Sequence, residues 1–147
     1  MNKIKLTVFV AVLAAGVLAT AAFASTKTST IALKTTAVGK VLVGAKGRTL
    51  YLFTADKGAK SVCYGQCATY WPPLIAGKPT AAAGLKASML GTTKRKDGKL
   101  QVTYNGHPLY FFAADKKAGD IKGQDFVHFG GTWWTVSAGG AKVTTKP

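Results

Sequence analysis

The chain has 147 residues, with apolar side chains at 48% of positions and charged ones at 17%, a balance that fits one small globular domain, or two at most, and excludes general disorder. Twenty Lys and Arg stand against five acids, all of them Asp, for a formal net charge of +15. With no Glu, a paired-glutamate glycosidase and an HExxH metalloprotease are excluded, and no GxxxxGK[ST], GxGxxG or GxSxG string is present.

Residues 1–24 read as a signal peptide. Lys3 and Lys5 precede an uncharged run over positions 6–23, and Ala22-Phe23-Ala24 ahead of Ser25 supplies the small-x-small pattern of a cleavage site. A retained single-span anchor is the competing reading, since the run approaches spanning length. After cleavage no transmembrane span remains, the expected location is secreted or periplasmic, and cytoplasmic nucleic acid is excluded as a partner. Residues 25–37, rich in Ser, Thr and Lys, read as a flexible N-terminal segment. Residues 38–147 read as one β-repeat domain.

Within that domain the chain repeats itself. Residues 39–57 align without a gap on residues 98–116, with ten identities in 19 positions. Repeat one covers about 38–75 and repeat two about 97–138. Each copy reads as a β-hairpin. Asn105-Gly106 suits a two-residue turn, because both residues tolerate positive φ, and Ala45-Lys46-Gly47 supplies the turn of the first copy. The strand cores at 50–53 and 109–112 are apolar at every position, as in strands covered on both faces. The expected fold class is therefore all-β, with two hairpin repeats packed about a pseudo-twofold as a small sandwich or barrel. Further strands are expected at 126–129, 132–137 and 141–145, and a short helix or linker at 81–85.

Cys63 and Cys67 are the only cysteines. In an oxidising compartment such a pair forms a structural disulfide; a redox dithiol or a soft-metal site are the alternatives. In the repeated motif, Tyr51 and Phe53, like Tyr110 and Phe112, project to one face of their strand. Asp56 and Asp115 fall where the strands end, placed to accept backbone N–H bonds or a tyrosine hydroxyl from a neighbouring strand; a ligand site formed twice is the other reading. Asp115, Asp120 and Asp125 could converge on a hard cation, but the spacing is not that of an EF-hand and Lys116, Lys117 and Lys122 crowd the loop. His107 and His128 could serve copper or zinc if the fold brought them together. Ser61, Ser88 and Ser137 lie in no triad context. Trp133 and Trp134, neighbours on an expected strand, should point to opposite faces.

These elements carry a resemblance. Tyr51-Leu52-Phe53-Thr54-Ala55-Asp56 and Tyr110-Phe111-Phe112-Ala113-Ala114-Asp115, the pair Cys63 and Cys67 with Trp71-Pro72-Pro73-Leu74, the stretch 104–110 and Gly130-Gly131-Thr132-Trp133 together resemble the exported proteins and lipoproteins built on a Tyr-x-(Phe/Trp/Tyr)-x-x-Asp motif, the secreted repeat of unknown function. The likeness covers about residues 38–138. Many members resemble lipoproteins with a cysteine at the cleavage site, where this chain has Ser25. The resemblance implies architecture and compartment but no reaction. The expected role is a non-enzymatic binding module of the cell envelope, without a cofactor, whose basic surface meets an anionic envelope polymer or an envelope protein. The alternative is a periplasmic metal-binding or electron-transfer accessory protein using His107, His128, Asp115, Asp120 and Asp125.

Overall fold

The computed structural model describes residues 26–147; the expected signal peptide lies outside the described residues. The regular structure of the described residues is mostly short strands: β1 (Thr28–Thr36), β2 (Gly39–Val43), β3 (Tyr51–Phe53), β4 (Lys78–Ala81), β5 (Leu90–Lys94), β6 (Leu100–Tyr104), β7 (His107–Pro108), β8 (Phe126–His128) and β9 (Gly131–Thr135), with one short α-helix, α1 (Gln66–Tyr70), and 3-10 turns at Ala45–Gly47 and Ala87–Met89. They group into three three-stranded sheets, in the orders β2-β1-β4, β3-β9-β8 and β5-β6-β7. The fold is all-β, as expected, but its strands are shared among three small sheets.

The turn chemistry follows the sequence closely. Tyr104 pairs with His107, so Asn105-Gly106 is the whole loop, and both residues have positive φ, 48° and 77°. In the first hairpin Lys46 and Gly47 take the left-handed region, and Gly44 N–H closes on Arg48 O.

Other expectations need correction. The segment 25–37, expected to be a flexible lead-in, contains the longest strand. β1 sits in the middle of its sheet, antiparallel to β2 and parallel to β4, and Ile31 is fully buried. Its Ser/Thr/Lys composition hid a strand whose alternate residues face solvent. Of the two readings of residues 81–85, the linker holds and not the helix: they end β4 and turn. The strand expected at 141–145 reduces to a bridge between Val136 and Lys142 and a hydrogen bond from Val143 N–H to Thr135 O. The second copy of the motif strand is extended yet pairs at few points, Tyr110 bridging both Tyr51 and Pro73.

The run of apolar residues in each motif is explained by two cores. Leu50, Leu52 and Leu109 join Ile31, Leu42, Leu74, Ala76, Val102, Tyr104 and Val136 in an aliphatic cluster. Tyr51, Phe53, Tyr110 and Phe112, one residue out of step, join Cys63, Cys67, Trp71 and Trp133 in an aromatic one. Successive side chains leave an extended chain on opposite faces, so the motif segments lie between the two cores.

The repeats are interlaced. β3 of repeat one pairs with β9 of repeat two, setting Phe53 opposite Trp133. Reciprocally, the segment after Trp71 of repeat one lies against the motif of repeat two, with Leu74 N–H donating to Leu109 O and Phe111 N–H to Pro72 O. Where the copies meet, Tyr51 N–H donates to Tyr110 O at 2.8 Å and Tyr110 N–H to Tyr51 O at 3.0 Å.

Candidate functional site

Each motif tyrosine reaches the aspartate of the other repeat. Tyr51 donates its hydroxyl to Asp115 Oδ2 at 2.6 Å, and Tyr110 donates to Asp56 Oδ2 at 2.8 Å. The strand pairing of Tyr51 with Tyr110 makes this exchange possible, because each side chain projects past the partner's strand end. The second oxygen of each carboxylate accepts a backbone N–H, from Val62 onto Asp56 Oδ1 and from Lys122 onto Asp115 Oδ1. Burial pushes both phenols above their ordinary range, with Asp115 and Asp56 adding to it. Burial also raises the carboxyls: Asp56 is pushed up to about 6 against the Val62 N–H, and Asp115 is raised against its bond from Tyr51. The two hydroxyls and two carboxyls are thereby partnered within the fold.

The tyrosines stand beside an aromatic stack. Phe53 lies on Trp133 at 4.0 Å between ring centroids, Trp133 on Trp71 at 3.9 Å, and Trp71 on Phe112 at 4.1 Å, all nearly parallel. Tyr51 meets Trp71 edge-on and Tyr110 meets Trp133 edge-on, the arrangement the ring quadrupoles favour. The stack leaves no room beside it. A Cβ at Gly131 would fall 2.6 Å from the Phe53 ring, and one at Gly123 2.7 Å from Trp71. Trp133 is buried and Trp134 only partly so, on opposite faces as their adjacency requires. The symmetric role of Trp71 and Trp133 escapes an ungapped comparison, since they stand 62 residues apart whereas the motifs stand 59 apart.

Cys63 and Cys67 form a disulfide, which closes the loop leading into α1 and places Cys63 and Cys67 against the aromatic cluster. Above it runs a polar chain that the sequence did not announce. The Tyr110 hydroxyl lies 2.7 Å from Ser61 Oγ, which accepts from Arg95 Nη1 at 2.9 Å. Arg95 Nη1 also donates to Gln101 Oε1 and Nη2 to Cys63 O, both at 2.7 Å. A lone arginine 34 residues from Ser61 gives no pattern to read; only the sheet geometry unites them.

The candidate metal residues are spread over separate tasks. Asp115 holds Tyr51. Asp120 Oδ2 accepts the N–H groups of Lys116 and Lys117, which pull its carboxyl below the ordinary range. Asp125 pairs with Lys146 at 3.6 Å. His128 Nδ1 accepts the Trp71 indole N–H, and His128 O accepts that of Trp133, so this histidine caps the stack. His107 lines a cleft of about 370 Å³ with Asp56 and Lys142. Among the described residues no three His, Cys, Asp or Glu side chains form a group able to hold a metal ion, so neither alternative, a cation between Asp115, Asp120 and Asp125 or a metal at His107 and His128 with Asp115, gains such a group.

Among the described residues no helix is long and apolar enough to cross a membrane. Neither the comparison with curated proteins nor that with solved structures returns a match. A family model described as a secreted repeat of unknown function matches residues 32–75 and 91–137. The two matched stretches are the two interlaced repeats, they cover more than half of the chain, and the chain belongs to this family of secreted repeat proteins.

Proposed function

We propose that this protein is a non-enzymatic binding module of the cell envelope, with a rigid aromatic framework and a basic surface that engages an anionic polymer. The observation that carries the reading is the separation of its charges. All 16 lysines among the described residues are exposed, whereas of the five aspartates only Asp97 is. Asp56 and Asp115 are turned onto tyrosine hydroxyls, and Asp120 onto backbone N–H groups. Three of the five acids are thus used within the fold, Asp97 and Asp125 pair with one lysine each, and the outward field is cationic. Lysine, a hydrated point charge on a flexible stem, suits loose contact with a polyanion better than fixed bidentate recognition.

The Tyr–Asp motif belongs to the framework in this reading. Its hydroxyls and carboxylates are partnered across the repeats, which supports a structural role for the motif and a pseudo-twofold relation between the copies. Both backbone and side-chain pairs are interchanged when the repeats are. The test is retention of the secreted protein on immobilised heparin. Binding is expected at low ionic strength and elution well before about 1 M salt, where the screening length falls to about 3 Å. Passage through the column at low salt would overturn the proposal.

A further inference from the structure

The two arginines lie in unlike surroundings. Arg48 lines a cleft that also contains Asp115, so a carboxylate shares its space. Arg95 lines a cleft of about 300 Å³ whose other walls include Lys60, Lys94, Lys96, Ser61 and Tyr64, with no acid among its lining residues. Arg95 is only 5% exposed. It takes part in no salt bridge among the described residues, and its Nε–H, like that of Arg48, is buried without a hydrogen-bond partner. Asp56 is linked to it through the Tyr110 and Ser61 hydroxyls rather than directly. Asp97, near in sequence, turns to Lys99, with its Oδ1 accepting the Lys99 N–H and its Oδ2 lying 3.9 Å from Nζ.

A buried guanidinium without a carboxylate is costly to maintain unless an anion compensates it. The remaining fittings are held in place. Tyr64 lies under the Arg95 guanidinium at 4.3 Å and within 5.2 Å of Lys96 Nζ, and its hydroxyl accepts the Lys96 N–H. Ser61 and Gln101 fix the arginine from within. Four cationic side chains around one recess, one of them rigid, match an oxyanion with several acceptor oxygens better than a single carboxylate.

We propose that this cleft is a binding site for a phosphate group, such as a phosphodiester or phosphomonoester carried by an anionic polymer, seated beside Arg95 among Lys60, Lys94 and Lys96. The inference rests on the reading of the protein as a polyanion-binding module and narrows it to one site.

The probes are inorganic phosphate and glycerol phosphate, titrated into the ¹⁵N-labelled secreted protein while the arginine Nε–H and pocket amide resonances are followed. Saturable shifts at Arg95, Ser61 and Tyr64 are expected, with acetate giving much weaker ones. The Lys94→Gln/Lys96→Gln double variant should bind phosphate at least about tenfold more weakly, the loss of one or more charged hydrogen bonds. Lys34→Gln/Lys40→Gln, remote from the cleft, should bind as the parent does. Arg95→Gln is avoided as the primary variant because it opens the core network. Shifts spread evenly over surface lysines, equal response to acetate, or equal weakening by the remote variant would each overturn the site. If heparin retention persists while Arg95 stays silent, the pocket fails and the general reading stands. If phosphate saturates the cleft while heparin is not retained, the polyanion reading fails and the pocket alone stands.

Discussion

At the scale of single residues, the protein turns on two exchanged hydroxyl–carboxylate pairs. Tyr110→Phe keeps the ring packed edge-on to Trp133 but leaves Asp56 Oδ2 without its donor and Ser61 without its neighbour. A buried acceptor deprived of its partner costs about 1–3 kcal/mol, and urea unfolding should report a loss of that size. The same carboxyls impose a pH dependence. Asp56, raised by burial to about 6, binds a proton more readily folded than unfolded, and Asp115 is shifted in the same direction. The contribution of Asp56 is therefore complete below the ordinary carboxylate range near 4 and is lost as pH rises through about 6, and Asp115 acts in the same direction. Urea midpoints should fall across that window in the parent protein. Asp56→Asn/Asp115→Asn should flatten the profile, and an unchanged slope would show that other groups set it.

At the scale of elements, β1 is the test of what holds the fold at its edge. It supplies the central strand between β2 and β4, and Ile31 projects from it into the aliphatic core at 0% exposure. Replacing a buried isoleucine by alanine costs about 2–5 kcal/mol where the cavity cannot collapse, so Ile31→Ala should lose stability on that scale in thermal or urea unfolding. Amide hydrogen exchange gives a second check. Ladder amides of β1 should be protected to nearly the level of β6, and exchange at the rate of a free segment would contradict the pairing. The alternation that marks β1 is weak, because one face is Thr28, Thr30, Ala32, Lys34 and Thr36, and on the other only Ile31, between Ser29 and Leu33, is fully covered. The Asn105-Gly106 hairpin was legible for the opposite reason. Positive φ at two successive residues is a demand that few residue pairs meet.

At the scale of the whole molecule, the interlacing of the repeats decides stability. Neither copy carries its own partner: Phe53 stacks on Trp133, and Phe112 stacks on Trp71. The separate fragments 26–85 and 86–147 should therefore lack the near-ultraviolet circular dichroism of the packed stack and show red-shifted tryptophan emission. Equimolar mixing should restore both signals; native spectra from either fragment alone would refute the interlacing. The sequence by itself determined the all-β class, the duplication, the hairpin turn at 105–106, the cysteine pair and the excess of lysine, since each rests on local conformational preference or on composition. Only the tertiary structure decided that each tyrosine serves the other copy's aspartate, that Trp71 and Trp133 stack, and that Arg95 lies buried beside Ser61. These contacts join residues more than 30 positions apart. Such contacts depend on how strands from both repeats are laid against one another, and no periodicity within a single stretch of chain encodes that.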